Sequence, residues 1–167
     1  MHGKVSSMEE LPLSIALAAV VQNNKILLIK RACGEYAGLW GLPGGKIEKH
    51  EHLSEAVIRE VIEESGIKTK FKRHLAVVSE HLVENCNIAR HFLLHICELI
   101  PSSTTTVSSQ EGKTAWFSID ELEKMKDQII PSDFQMVQKI IKGKERKNYY
   151  NCVLEKVDGR YLLKKFE

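Results

Sequence analysis

Two apolar runs open the chain, residues 12–22 and 25–31, with Asn23-Asn24 between them. Asparagine takes left-handed turn conformations at little cost, so the pattern predicts strand, tight turn, strand. A connection punctuated by Gly34, Gly38 and Gly41 leads into Leu42-Pro43-Gly44-Gly45. Helical periodicity then runs from about 52 to 65, with Gly66 where a C-cap glycine belongs. Strands are predicted near 72–82, 88–99 and 114–117, and the Ser/Thr-rich stretch 101–110 reads as an exposed loop. Ser118 or Asp120 can cap a short helix, and Ser132 or Asp133 a longer one over about 132–142. Residues 149–156 and 161–166 predict a last hairpin about Asp158-Gly159. There is no internal repeat and no interdomain linker. The expected architecture is α+β, a mixed sheet with two principal helices: a loose segment at 1–10, one domain at 11–143, and a hairpin extension at 144–167.

Composition narrows this little but excludes a good deal. Hydrophobic residues are 43% of the 167 and charged residues 28%, which rules out a disordered chain. Lys plus Arg number 24 against 22 Asp plus Glu, so there is no global attraction to nucleic acid or membrane. The charge is uneven, however. Residues 48–66 hold six acids and two bases, whereas 141–167 hold eight bases and four acids. Cys33, Cys86, Cys97 and Cys152 are far apart without a C-x-x-C pair, the usage of free thiols in a reducing compartment such as the cytoplasm. Residues 11–21 have the length of a signal peptide and contain Ala16-Leu17-Ala18. Glu9 and Glu10 precede that run where positive charge belongs, so it reads as a strand.

The acidic stretch is also the candidate chemistry. On a helix advancing about 100° per residue, Glu60, Glu63 and Glu64 share one arc. Val57, Ile58, Val61 and Ile62 form an adjoining apolar stripe, and Ala56 leaves room above the carboxylates. Three carboxylates this close repel one another unless a cation sits among them, and hard oxygen ligands suit Mg²⁺ or Mn²⁺. A bare acidic face is usually just solvated. The full spacing says more: Gly45, five residues, Glu51, seven residues, then Arg59-Glu60-Val61-Ile62-Glu63-Glu64-Ser65-Gly66-Ile67. On average composition such a match arises in about one chain of this length in ten million.

This spacing resembles the signature of the Nudix hydrolases, with every specified position filled, and the likeness extends over roughly residues 12–140. Leu39-Trp40-Gly41-Leu42-Pro43-Gly44-Gly45 resembles the approach to that box in MutT-type enzymes. Glu111-Gly112, ahead of Trp116-Phe117-Ser118, is similar to the place where many members carry a further catalytic glutamate. The resemblance implies a Nudix-type α/β/α sandwich that hydrolyses a nucleoside diphosphate linked to another group, with Mg²⁺ as cofactor and Mn²⁺ as a substitute. It makes Glu60, Glu63 and Glu64 metal ligands, with the Gly44 carbonyl a fourth, and Glu51 and Arg59 the pair that sets the loop–helix geometry. Glu64 and Glu111 are both candidates for the general base. Glu111 is preferred, because a carboxylate already bound to metal is a weakened base. His50 stands where the family often has glycine, and His52 where it often has a Thr or Ser N-cap. Histidine tolerates left-handed backbone better than most residues, so the expected cost is loop stability, not chemistry.

Substrate contacts are less constrained. Lys30 and Arg31 end the second strand and can grip phosphates, and Arg90-His91 can line the same cleft. Asp133 either meets a base edge, as a similar position does in MutT-type enzymes, or caps the helix, the reading preferred here. Tyr36 and Trp40 either stack on a base or pack as core. His74, His81, His91 and His95 read as strand side chains, with no tight ligand cluster around them. The leading expectation is a cytoplasmic nucleoside triphosphate (dNTP/NTP) pyrophosphohydrolase acting on a small-molecule nucleotide, with no membrane or nucleic-acid partner. The alternatives are an ADP-ribose or nucleotide-sugar diphosphatase and, from another class, a non-catalytic nucleotide-sensing or interaction module. The intact box carboxylates speak against the last. The apolar face of the C-terminal hairpin needs a surface, either the domain's own sheet edge or a second subunit in a homodimer, with the homodimer preferred.

Overall fold

The computed structural model describes residues 11–143 and 147–167. The loose segment expected at 1–10 and the first residues of the hairpin extension, 144–146, lie outside these residues. The strands are β1 (Leu13–Gln22), β2 (Lys25–Arg31), β3 (Trp40–Gly41), β4 (Gly44–Lys46), β5 (Thr69–Glu84), β6 (Asn87–Pro101), β7 (Gly112–Ser118), β8 (Tyr149–Val157) and β9 (Arg160–Phe166). Helix α1 is Leu53–Ser65 and helix α2 is Pro131–Gln135, preceded by a 3₁₀ segment at Ile119–Gln128. The strands make one mixed sheet in the order β3-β2-β1-β6-β5-β8-β9, with β4 also paired to β1 and β7 to β2.

β1 explains the layering. Its apolar run is buried on both faces, which is why it reads as continuous and not alternating. Ala16, Ala18 and Val20 pack with Val57 and Val61 of α1, along with Leu27, Ile67 and Leu99. Leu17 and Ala19 point the other way, into a core closed by Leu122, Ile129, Met136 and Val137. Helical elements therefore cover both faces of the sheet, the expected α/β/α sandwich. Asn23 and Asn24 take φ of 51° and 59°, as the turn requires.

The second principal helix departs from expectation. It starts at Pro131, whose ring is suited to the first helical position, and Ile130 is its N-cap. Neither Ser132 nor Asp133 caps it. After one turn it widens over Met136–Ile141, where the Lys142 N–H reaches back five residues to the Val137 carbonyl. Ser118 does precede the 3₁₀ segment but makes no side-chain cap, and Asp120 instead accepts from Asn24 Nδ2 and Lys142 Nζ.

The C-terminal hairpin turns at Asp158-Gly159, and β8 runs parallel against β5. Tyr150, Cys152, Leu154 and Phe166 are buried in the larger core. Of the two surfaces open to it, the hairpin takes the domain's own sheet edge. Among the described residues no helix is long and apolar enough to cross a membrane.

Candidate active site

Helix α1 turns two rows of side chains inward: Ala56, Glu60 and Glu64 one turn apart, beside Val57 and Val61. Its acidic face is not a solvated one, since Glu64 is 2% exposed and Glu60 7%. Ala56 is packed into the core, while Ile62 of the expected apolar stripe is 42% exposed. The helix is rotated so that two acids occupy positions the aliphatic pattern alone would assign elsewhere.

The glycines of β4 admit those acids. The Gly44 N–H donates to Glu64 Oε2 at 2.9 Å. A Cβ on Gly45 would lie 2.5 Å from Glu60 Oε1, and one on Gly44, where φ is +150°, would collide with the Ala16 carbonyl. Glu111, exposed at the edge of β7, brings a third carboxylate. One oxygen from each of Glu60, Glu64 and Glu111 lies within 4.8 Å of the others.

Arg59 ties this cluster to the loop before α1. Its Nε donates to Glu51 Oε2 at 2.9 Å and its Nη2 to Glu51 Oε1 at 2.7 Å, a bidentate pair. Nη1 donates to Glu60 Oε1 at 2.7 Å and Glu63 Oε2 at 3.0 Å. The Arg59 hydrogen bonds, then the Glu48 amide, hold the Glu51 carboxyl down at about 2. His50 does not adopt positive φ, so glycine's freedom is not needed there. His52 is the N-cap of α1, and its backbone N–H donates to Glu55 Oε2 at 2.7 Å. That is the reciprocal arm of a capping box, supplied from inside the helix.

Burial is the first cause that pushes the Glu64 carboxyl up to about 8, with Glu60 and Glu111 adding to it against the Gly44 amide. Burial also raises Glu60, opposed by Arg59. Two buried acids and a third beside them are costly without a cation. Three hard oxygen donors on a helix and a strand edge fit a divalent ion such as Mg²⁺ or Mn²⁺. Glu63 is not brought to that group: its side chain is 50% exposed and turned to Arg59. Gly44 meets the cluster through its amide.

A cleft of about 500 Å³ begins at Gly44 and Gly45 and runs inward. Arg31, Arg90 and Asp133 line it, while Lys30 is exposed and is not part of its wall. The Arg31 Nε is buried without a hydrogen-bond partner among the described residues. Its charge acts downward on the carboxyls of both Glu64 and Asp133, against their burial. Asp133 is not a cap: its Oδ2 accepts the Leu42 N–H at 2.7 Å, and burial pushes its carboxyl up to about 7. Trp40 packs as core, edge-on to Phe117 at 4.7 Å between ring centroids. Tyr36 does both things considered for it, belonging to the core and lining the cleft. The four histidines lie in β5 and β6, paired as His81–His91 and His74–His95.

Glu80 was not foreseen. It is 1% exposed at the cleft wall, its Oε1 accepting the Tyr36 hydroxyl at 2.7 Å and its Oε2 facing the Cys152 thiol at 3.8 Å. The available signal was an acid in the buried phase of β5, among Ala76, Val78 and Leu82.

The family model of the NUDIX domain matches residues 12–140. An ADP-ribose pyrophosphatase of Methanocaldococcus jannaschii is 43% identical over 67 residues, 40% of each chain. In structure, the chain is similar to the MutT protein of Bacillus halodurans, with TM-score 0.73 and 21% identity over 93% of this chain and 96% of that one. It is also similar to a bifunctional NMN adenylyltransferase/ADP ribose pyrophosphatase of Francisella tularensis complexed with AMP and a manganese ion. There the TM-score is 0.65, with 19% identity over 77% of this chain and 40% of the other. At those identities the two structures establish the fold. Against several curated relatives the chain spans 35–40% of their length.

Proposed function

The chain belongs to the Nudix family, and we propose that it hydrolyses a nucleoside diphosphate linked to another group, a nucleoside triphosphate first among them. One observation carries the reading. The carboxylates of Glu60, Glu64 and Glu111 and the 500 Å³ cleft meet at Gly44-Gly45, with the unpartnered Arg31 Nε on the cleft wall. That sequence of groups matches a nucleotide laid lengthwise, its phosphates at the acidic end and its base in the cleft. Glu60 and Glu64 would hold the cation, which would supply positive charge to the diphosphate and lower the pKa of the attacking water, with the Glu111 carboxylate beside it. Arg31 binds phosphate oxygens, and Arg90 extends the same wall. Glu111, the most accessible of the three acids, takes the proton from water. Glu51 acts through Arg59, which fixes the Glu60 rotamer.

A second reading, an ADP-ribose diphosphatase, is favoured by one relative: the 43% identical stretch belongs to a protein named an ADP-ribose pyrophosphatase. A panel of nucleoside triphosphates, ADP-ribose and nucleotide sugars, incubated with Mg²⁺, decides between them. Release of pyrophosphate from a triphosphate is expected. Turnover of ADP-ribose alone would establish the second reading, and no turnover of any member, with Mg²⁺ or Mn²⁺, would reject both.

A further inference from the structure

Tyr36 is a buried aromatic residue at φ +63°, a conformation that side chains other than glycine seldom adopt. Such a backbone persists only where its surroundings impose it, and here they come from the other end of the chain. The Tyr161 hydroxyl, on β9, accepts the Tyr36 N–H at 3.1 Å and donates to Glu35 Oε2 at 3.0 Å. The two tyrosine rings lie 4.6 Å apart. Lys156 of β8 sits 3.6 Å from Glu35 and lies over the Tyr161 ring. The hairpin thus grips the loop between β2 and β3 at two adjacent residues. It also touches the next member of the chain of contacts, since Cys152 of β8 faces Glu80, the acceptor of the Tyr36 hydroxyl.

Tyr36 and Glu80 both line the cleft, whereas Tyr161 does not. Leu17, Leu42, Phe92, Leu94 and Ile130 line it with Asp133, while Glu35 and the cations Arg31, Lys46 and Arg90 are also on the cleft wall. Apolar walls with a few convergent acceptors suit a flat heterocycle bearing N–H donors; a sugar there would leave hydroxyls unpaired. We propose that the C-terminal hairpin, beyond the matched residues 12–140, sets which nucleotide base the cleft accepts: Tyr161 is a positioning residue that holds Tyr36, and through it Glu80, in the wall where the base is read. This rests on the cleft being a nucleotide site. Loss of the Tyr161 hydroxyl frees the Tyr36 backbone to relax, and the donors and acceptors around Glu80 move with it.

The test separates binding from turnover. Calorimetry with AMP, GMP, CMP and UMP in EDTA reads base preference without metal, for the full chain, Tyr161→Phe, and the hairpin control Lys164→Ala. Lys164 pairs with Glu155 and touches neither Tyr36 nor Glu80. The wild type and Lys164→Ala are expected to prefer one base by about tenfold or more, and Tyr161→Phe to lose most of that preference. In turnover, Tyr161→Phe should raise KM for the preferred nucleotide with kcat little changed, a split that loss of folded protein cannot produce. An equal preference in wild type and Tyr161→Phe overturns the inference, as does a wild type that binds all four alike. Base preference lost in Tyr161→Phe without hydrolysis of any nucleotide supports the inference and rejects the proposed activity. Hydrolysis that ignores the base does the reverse.

Discussion

Glu60 and Glu64 on α1, and Glu80 and Asp133 on β5 and α2, are four buried carboxyl groups around one cleft, and burial raises the pKa of each. Their neighbours differ. Around Glu60 and Glu64 the nearest titratable groups include each other and Glu111, so negative charge accumulates, with Arg59 committed largely to Glu51. Glu80 also raises Asp133, opposed by Arg31, but the hydrogen bonds to this pair come from neutral donors: the Tyr36 hydroxyl, the Cys152 thiol and the Leu42 amide. The first cluster is suited to a cation, and the second to hydrogen-bond donors. Burial says that an acid matters; the partners say what for.

Breaking the first cluster should have the largest effect. Glu60→Gln or Glu64→Gln removes a ligand charge without opening the core, and kcat with Mg²⁺ should fall by roughly 10²–10³-fold while circular dichroism stays native. Glu80→Gln, nearly isosteric and among neutral donors, should leave kcat within about tenfold of wild type. Equal losses in Glu64→Gln and Glu80→Gln would erase the distinction between the clusters.

Glu111→Gln sharpens the comparison inside the first cluster. Turnover should drop about 10²-fold across the pH–rate profile, because the accessible acid is the one placed to take a proton from water. Mg²⁺ affinity should suffer less than in Glu64→Gln, since Glu111 is the exposed member. A profile identical to wild type would leave Glu64 as the base.

The last effect is one of stability. In metal-free protein the folded-state pKa of Glu64, about 8, lies above its unfolded value, so the folded form binds the extra proton. Stability from this group is complete below the unfolded pKa and is lost as pH rises through the folded one. In EDTA, wild type measured against Glu64→Gln should therefore lose stability between about pH 4.5 and 8, at no more than about 1.4 kcal/mol per pH unit. Mg²⁺ should restore stability at pH 8 and do less at pH 5, where Glu64 holds its proton. Chemical denaturation across that range, with and without Mg²⁺, reads both.

Much of this was legible along the chain. Apolar runs, periodicity and turn residues located the strands of both hairpins and helix α1, because each is decided by neighbours two to four residues away. The spacing from Gly45 through Ile67 identified the family and the acids of α1, and it paired Glu51 with Arg59, because a loop and the helix after it are a local unit. What local pattern left open was direction. The rotation of α1 is set by the small residues of β1, and it buries Glu60 and Glu64 while leaving Glu63 to Arg59. Asp133 has the look of a helix cap in sequence, yet the amide it serves belongs to Leu42, 91 residues away. Glu80, Cys152, Tyr36 and Tyr161 have no common signature, and they meet only because β8 adds in parallel to β5 and carries β9 back over the loop after β2. Elements and ligand types follow from short-range chemistry. Which acid faces a cation and which a neutral donor depends on contacts between distant segments, and only the packed sheet decides that.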